Sequence, residues 1–258
     1  MKLVPFASRL CTAALVAIIV FSCDQPEPEA KLFDLLSPDR TGIDFNNQLK
    51  GTAEFNIIEY LYFYNGGGVA VGDINNDGLD DIFFTANQGK NELYLNRGDL
   101  TFENISASAG VSGNSEWSTG VTMADVNADG LLDLYICQVG AYKSLEGHNL
   151  LYINNGDLTF SEQSEIYGLD FTGFGTQAAF FDYDLDGDLD VYLLNHSVHS
   201  VGNYGNADAL RNEKSARAGD RLLQNQLAQG DIQFKDVTHE AGIYSSPIGY
   251  GLGVSIAD

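Results

Sequence analysis

The sequence predicts an all-β chain, a β-propeller of four-stranded blades with about three blades present. Three observations lead there. An acidic ten-residue pattern with a central glycine recurs three times. Each copy runs into a stretch of aliphatic, aromatic and β-branched residues, and each is followed further on by a pair of such stretches joined by a turn containing Gly-Asp.

The acidic pattern occupies residues 72–81, 124–133 and 181–190. The strand-like stretches after it are residues 82–85, 134–137 and 191–194. The paired stretches are 93–96 with 100–102, 151–154 with 158–160, and 222–225 with 232–234. Asn155-Gly156 between two apolar runs is a strong hairpin signal, and Gly98-Asp99 and Gly230-Asp231 hold the same place in the other copies. Spacing separates framework from decoration. From Asp99 to Asp125, Asp157 to Asp182 and Asp231 to Asp258 the distances are 26, 25 and 27 residues, whereas from Asp73 to Asp99, Asp125 to Asp157 and Asp182 to Asp231 they are 26, 32 and 49. Nearly all the length variation falls in one connection, as in repeat folds that decorate one face. Residues 251–258 repeat the pattern of 66–73, so the chain stops at the first position of a fourth loop and reads as a fragment.

The acidic pattern has the chemistry of a calcium loop. Oxygens at its first, third, fifth and ninth positions can converge on one ion when a glycine at position six permits the tight turn. The side-chain donors are Asp73, Asn75, Asp77 and Asp81; Asp125, Asn127, Asp129 and Asp133; and Asp182, Asp184, Asp186 and Asp190. Asp258 opens the fourth loop, and the backbone carbonyls of Leu79, Leu131 and Asp188 serve at position seven. An all-oxygen set on a flexible loop suits Ca2+ better than Mg2+. An EF-hand is excluded, because Phe84, Ile136 and Leu193 stand where it needs a bidentate Glu and the flanks read as strands. A nonapeptide β-helix is excluded by loops that recur 52 and then 57 residues apart, from Asp73 to Asp125 to Asp182. The alternative is an acidic surface turn without metal, and three copies in register argue against it. The third loop, with Asp184 in place of Asn75 and Asn127, is expected to bind best.

The charge and the first residues set the compartment. With 13 Lys and Arg against 36 Asp and Glu the net charge is −23, which disfavours nucleic acid, while 44% hydrophobic residues supply a core. Lys2 and Arg9 precede an apolar run over residues 11–21, the length of a signal-peptide core and too short for a comfortable membrane span. The run ends in Val20-Phe21-Ser22-Cys23, which resembles a bacterial lipobox with Cys23 as the lipidated residue. An ordinary signal peptide cut near Ser22 is the alternative. The expected organisation is a signal peptide over 1–22, a tether and lead-in over 23–64, and repeats over 65–258. The expected location is the bacterial cell envelope, with membrane contact through the lipid anchor only. Cys137 is alone in the mature chain, so no disulfide framework forms and the thiol reads as core packing.

The blocks Gly67-Gly68-Val69-Ala70-Val71-Gly72-Asp73 and Gly173-Phe174-Gly175, taken with the acidic loops, resemble FG-GAP or VCBS repeats. Residues 37–47 also resemble the lead-in of exported bacterial VCBS proteins of the ASPIC/UnbV-associated type. The resemblance covers residues 65–258. It implies a propeller, often seven-bladed, with calcium at the blade loops, and implies no single activity. Two function classes follow: a non-enzymatic module that binds protein or glycan through its insertion loops, and part of a propeller hydrolase or lyase acting on polysaccharide, with its active site in blades beyond this chain. No catalytic motif is visible. Arg97-Gly98-Asp99 is explained by the repeat, since Gly-Asp recurs in the same turn. His196 and His199, beside Asn195, have a spacing that could serve a transition metal, but with no third ligand they read as a solvated loop. Residues 208–218 hold an unusual share of the positive charge and are expected to form a short helix on a solvated face.

Overall fold

The computed structural model describes residues 32–197 and 207–257. The compact unit begins at Ser37. Cys23 and the whole signal and lipobox segment, His199 and Asp258 lie outside the described residues, and no described helix is long and apolar enough to cross a membrane.

The chain is mostly β, with three four-stranded antiparallel sheets. The first runs β1 (Val69–Gly72), β2 (Asp81–Phe84), β3 (Glu92–Asn96), β4 (Phe102–Asn104). The second takes β5 (Ser118–Ala124), β6 (Asp133–Gln138), β9 (Leu150–Asn154) and β10 (Phe160–Glu162). A two-stranded ribbon, β7 (Gly140–Tyr142) with β8 (Leu145–Glu146), sits in its long connection. The third is β11 (Gly175–Phe181), β12 (Asp190–Asn195), β13 (Arg221–Asn225) and β14 (Phe234–Asp236). The hairpins close with Asn96 opposite Phe102, Asn154 opposite Phe160 and Asn225 opposite Phe234, so their turns are residues 97–101, 155–159 and 226–233, longer than the two-residue turn an Asn-Gly pair favours. In each sheet the strands follow one another in chain order from first to last, the pattern of FG-GAP blades.

Alternation along the strands explains how the sheets stack. On β6, Leu134 and Ile136 enter a core shared with the first sheet, including Phe83, Leu93 and Leu95, while Tyr135 and Cys137 enter a core shared with the third, including Val191, Leu193 and Leu223. Strand β9 splits the same way, Leu150 and Tyr152 to one side and Leu151 and Ile153 to the other. A strand buried on both faces reads as a continuous apolar run, as residues 134–137 do. Burial pushes the Cys137 thiol up to about 12, which leaves it unreactive.

The first strands of the sheets, β1, β5 and β11, lie side by side. Thr119 Oγ1 donates to Gly175 O at 2.8 Å, Thr122 Oγ1 donates to Ala178 O at 2.6 Å, and Thr85 Oγ1 donates to Thr119 O. The approach is close enough to require glycine at position 120. A Cβ there would meet Gln177 Oε1 at 2.0 Å and Thr176 O at 2.4 Å, and the second of these is backbone that cannot swing away.

The lead-in is part of the fold. Phe55, Tyr60, Tyr62 and Phe63 pack with Trp117, Val139, Leu145 and Phe174 into a third core at the ends of the sheets away from the acidic loops. His196 sits inside it, fully buried, which corrects the solvated-loop expectation. Its ring stacks on Tyr62 at 3.9 Å between centroids, Nδ1 bonds Ser197 O at 3.0 Å, and Nε2 bonds the Tyr60 hydroxyl at 2.8 Å. With both nitrogens engaged inside the protein, His196 is a packing residue. The solvated-loop expectation failed because two of the enclosing aromatic partners, Tyr60 and Tyr62, lie more than 130 residues earlier in the chain. Residues 207–211 form the short helix expected in the basic segment, and Lys214 Nζ lies 3.1 Å from the His239 ring nitrogens. Arg97 pairs with Glu103 across its hairpin at 2.5 Å, so the tripeptide is part of a turn.

Two outcomes follow. Gly120→Ala destabilises by about 3 kcal/mol in denaturant unfolding, through overpacking against backbone. Desolvation lowers the His196 pKa from its ordinary 6.5 to about 4, partly offset by its bond to Ser197. The unfolded chain therefore takes up a proton below pH 6.5 that the fold refuses until about pH 4. The stability held by neutral His196 is complete above 6.5 and lost as pH falls toward 4. The stability gap between parent and His196→Asn narrows by about 2 kcal/mol between pH 7 and pH 4.5. A constant gap would show that His196 titrates normally.

Candidate metal centre

Each acidic loop joins the first strand of a sheet to the second: residues 73–80 between β1 and β2, 125–132 between β5 and β6, and 182–189 between β11 and β12. The three share one backbone shape. Position four is left-handed in each (Asn76 φ 57°, Ala128 φ 58°, Leu185 φ 63°), and position six is a left-handed glycine (φ 85°, 88° and 98° at Gly78, Gly130 and Gly187). The turn wraps around the position-one carboxylate. Asp73 accepts the N–H groups of Asp77 and Gly78 at 3.1 and 2.7 Å, Asp125 those of Asp129 and Gly130 at 3.0 and 2.9 Å, and Asp182 those of Asp186 and Gly187, both at 3.1 Å.

The ninth position does more than the spacing suggested. Asp81, Asp133 and Asp190 are buried, and both oxygens of each accept backbone N–H groups. One oxygen takes the position-two N–H, from Ile74 at 3.0 Å, Val126 at 2.9 Å and Tyr183 at 2.8 Å. The other takes the N–H of the asparagine that ends the third strand, Asn96 at 2.7 Å, Asn154 at 2.9 Å and Asn225 at 2.8 Å. Each oxygen keeps a lone pair, so the group can brace the loop and still ligate. Burial raises all three carboxyls, Asp133 and Asp190 to about 6.

The asparagines were visible in the sequence as the ends of the strand runs, but their task was not. Asn154 Nδ2 donates to Leu132 O of its own loop at 3.1 Å and to Ile74 O of the preceding loop at 2.8 Å, and Asn225 does the same to Leu189 O at 3.2 Å and Val126 O at 3.1 Å. Their Oδ1 atoms accept the turn N–H groups of Gly156 at 3.0 Å and Leu227 at 3.1 Å. Asn76 Nδ2 adds a direct link from the first loop to Gly130 O of the second at 3.1 Å.

The loops differ in their charge. In the first two, the position-three side chain donates to position five, Asn75 to Asp77 at 3.0 Å and Asn127 to Asp129 at 2.9 Å. The N–H groups of Leu79 and Leu131 bond Asp77 and Asp129, each at 2.9 Å. In the third loop an aspartate replaces the asparagine, and carboxylate oxygens of Asp182, Asp184 and Asp190 lie within 4.8 Å of one another. Asp186 is held by Gln229 Nε2 at 3.0 Å, and its pKa is lowered chiefly by that bond. Asp188, chosen from the sequence for its carbonyl, is informative through its side chain. Oδ2 accepts the Ala228 N–H at 2.9 Å, whereas Oδ1 is buried without a hydrogen-bond partner. Desolvation, with Asp186 and Asp184 nearby, raises this carboxyl. The three converging carboxylates repel one another, a cost that a bound cation would remove. The donor set fits Ca2+: all oxygen, several carboxylates, on a loop rather than a rigid octahedral cage. The third loop can thus hold such an ion.

Because Asn154 serves three backbone groups in two repeats, Asn154→Ala costs about 2–3 kcal/mol in denaturant unfolding, while Asn155→Ala, exposed next to it in the turn, costs less than about 1 kcal/mol. Equal losses would deny the asparagine any bracing role.

Residues 73–136 and 139–193 match the FG-GAP-like repeat. The chain is 30% identical to human cartilage acidic protein 1 over 194 residues, 73% of this chain and 27% of that protein. It is 34% identical to the Xenopus tropicalis protein of the same name over 137 residues, 51% and 20%. Mouse integrin alpha-8 is 29% identical over 161 residues, 57% of this chain and 15% of the integrin. The chain spans less than a third of the length of each of these relatives. The repeat match and these relatives converge with the loop and sheet geometry: this is an FG-GAP repeat protein, related to cartilage acidic protein 1 and to integrin alpha.

Proposed function

We propose that the chain is part of a calcium-stabilised β-propeller, closed by further blades, that acts as a non-enzymatic binding module on the exported side of a bacterial envelope. The observation that carries the metal reading is the convergence of the Asp182, Asp184 and Asp190 carboxylates within 4.8 Å of one another. Calcium would be held in the third loop by Asp182, Asp184, Asp186, Asp190 and Asp188. The corresponding residues of the first two loops, Asp73, Asn75, Asp77, Leu79 and Asp81, then Asp125, Asn127, Asp129, Leu131 and Asp133, would hold it with less charge, and Asp258 would begin a fourth site. The ion would supply the counter-charge that these turns lack, since 12 of the 36 acidic residues sit in residues 73–81, 125–133 and 182–190.

Lipidation at Cys23 after signal cleavage would anchor the chain, residues 24–29 would tether it off the membrane, and the lead-in suggests the VCBS type associated with ASPIC/UnbV domains. A rigid scaffold with its length variation in one connection is suited to presenting loops to a protein or glycan.

Calcium that binds only the folded loops stabilises by about 2.7 kcal/mol per site at a hundredfold excess over Kd. EDTA is expected to lower the melting temperature, with calcium restoring it better than magnesium. Asp186→Ala should remove more of the calcium effect than Asn75→Ala. A melting temperature indifferent to EDTA, together with no calcium uptake by calorimetry, would leave these loops as acidic turns.

A further inference from the structure

The end of the unit opposite the acidic loops holds a pocket of about 630 Å3, within the range of about 300–1,000 Å3 typical of small-ligand sites. It opens where β1, β5 and β11 begin. Its walls come from all three repeats, from the lead-in and from the segment after β14.

What lines it is unusual for this chain. In a protein with 36 acidic and 13 basic residues, no Asp, Glu, Lys or Arg among the described residues borders the pocket. His196 lies at its wall with both nitrogens bonded to protein atoms, and burial keeps it uncharged near neutral pH. The polar groups present are neutral. Thr119, Thr176 and Gln177 contribute side chains, and Gln177 is held only by long contacts of 3.3 to 3.5 Å through its Nε2. Gly66 borders the pocket with open space on its Cβ side, while Gly67, Gly68 and Gly120 border it packed closely against neighbouring backbone. Tyr60, Tyr62 and Trp117 form the aromatic part of the wall.

These walls select by exclusion. A charged ligand would lose its hydration with no opposite charge to replace it, which is costly. A purely apolar ligand would cover hydroxyl, amide and peptide groups without satisfying them. A ligand with many neutral hydroxyls matches these walls, since its hydroxyls pair with amide, hydroxyl and peptide groups without bringing a charge. We propose that this pocket binds an uncharged saccharide, a short unit of a neutral glycan, with Gln177 and Thr176 as its polar contacts. The site is separate from the acidic loops and does not depend on the metal reading.

Trp117 is the only tryptophan of the chain, so its fluorescence reports on the pocket directly. The experiment titrates the calcium-loaded chain with maltotriose, cellotriose, mannotriose and chitotriose, with a triuronic acid as the charged control. It is repeated on Gln177→Ala and Thr176→Val, and melting curves with and without calcium verify each variant's fold. At least one neutral trisaccharide should give a saturable change in Trp117 emission, weakened tenfold or more in either variant that melts like the parent, with no change from the triuronic acid. The proposal is overturned if no neutral trisaccharide binds at millimolar concentration, if the triuronic acid binds better, or if natively melting variants bind as the parent does. Loss of the calcium effect on melting with saccharide binding intact would overturn the metal reading alone.

Discussion

A buried carboxylate held between two backbone N–H groups is the interaction on which the three repeats depend. Asp81, Asp133 and Asp190 have no basic partner among the described residues, so the cost of taking each out of water is met by hydrogen bonds to backbone. Each such bond to a charged acceptor contributes about 1.5–3 kcal/mol. Because one donor comes from the second residue of the loop and the other from the last residue of the third strand, the same side chain fixes the turn and the register of β2 against β3. An asparagine amide then carries the constraint across the gap, since Asn154 and Asn225 each bond a carbonyl in the loop of the repeat before. A loop in this fold is therefore shaped partly by its successor, which is a structural reason for the repeats to occur in series.

Packing completes the coupling. The middle strands of the second sheet face apolar neighbours on both sides, so neither the first nor the third sheet can be removed without exposing a layer such as Leu134 and Ile136 or Tyr135 and Cys137. Each sheet alone would present an uncovered apolar face, and stability comes from stacking, as in other repeat architectures. The aromatic cluster built on Tyr60, Phe63 and Trp117 does for the ends of the strands what the asparagines do for the loops, tying the lead-in to the second and third repeats.

How much of this was legible follows from the range of each interaction. Strand positions, hairpin turns and loop shape are local, so periodicity, Gly-Asp turns and the aspartate spacing revealed them. The residues that hold repeats together act between repeats. Asn154 and Asn225 closed their strand runs in plain view, but their partners lie 80 and 99 residues away. Asp188 was chosen for its carbonyl because the loop pattern is blind to side-chain burial. His196 failed for the opposite reason, because a polar residue in the longest insertion looks solvated unless Tyr60 and Tyr62 are known to enclose it. The β7–β8 ribbon was hidden in a connection identified only as variable in length.

The arrangement also separates two kinds of chemistry along the strand axis. Acidic loops end the first strands and the uncharged pocket begins them, with Gly68 and Asp73 five residues apart on β1 and its flanks. Five extended residues span roughly 16 Å, about twice the screening length of about 8 Å at physiological ionic strength. The field of the loops is therefore largely spent before it reaches the pocket mouth through solvent. The acidic loops and the neutral pocket are thus electrostatically separate, although both are built on strands β1, β5 and β11, which Thr119, Thr122 and the close approach at Gly120 hold side by side.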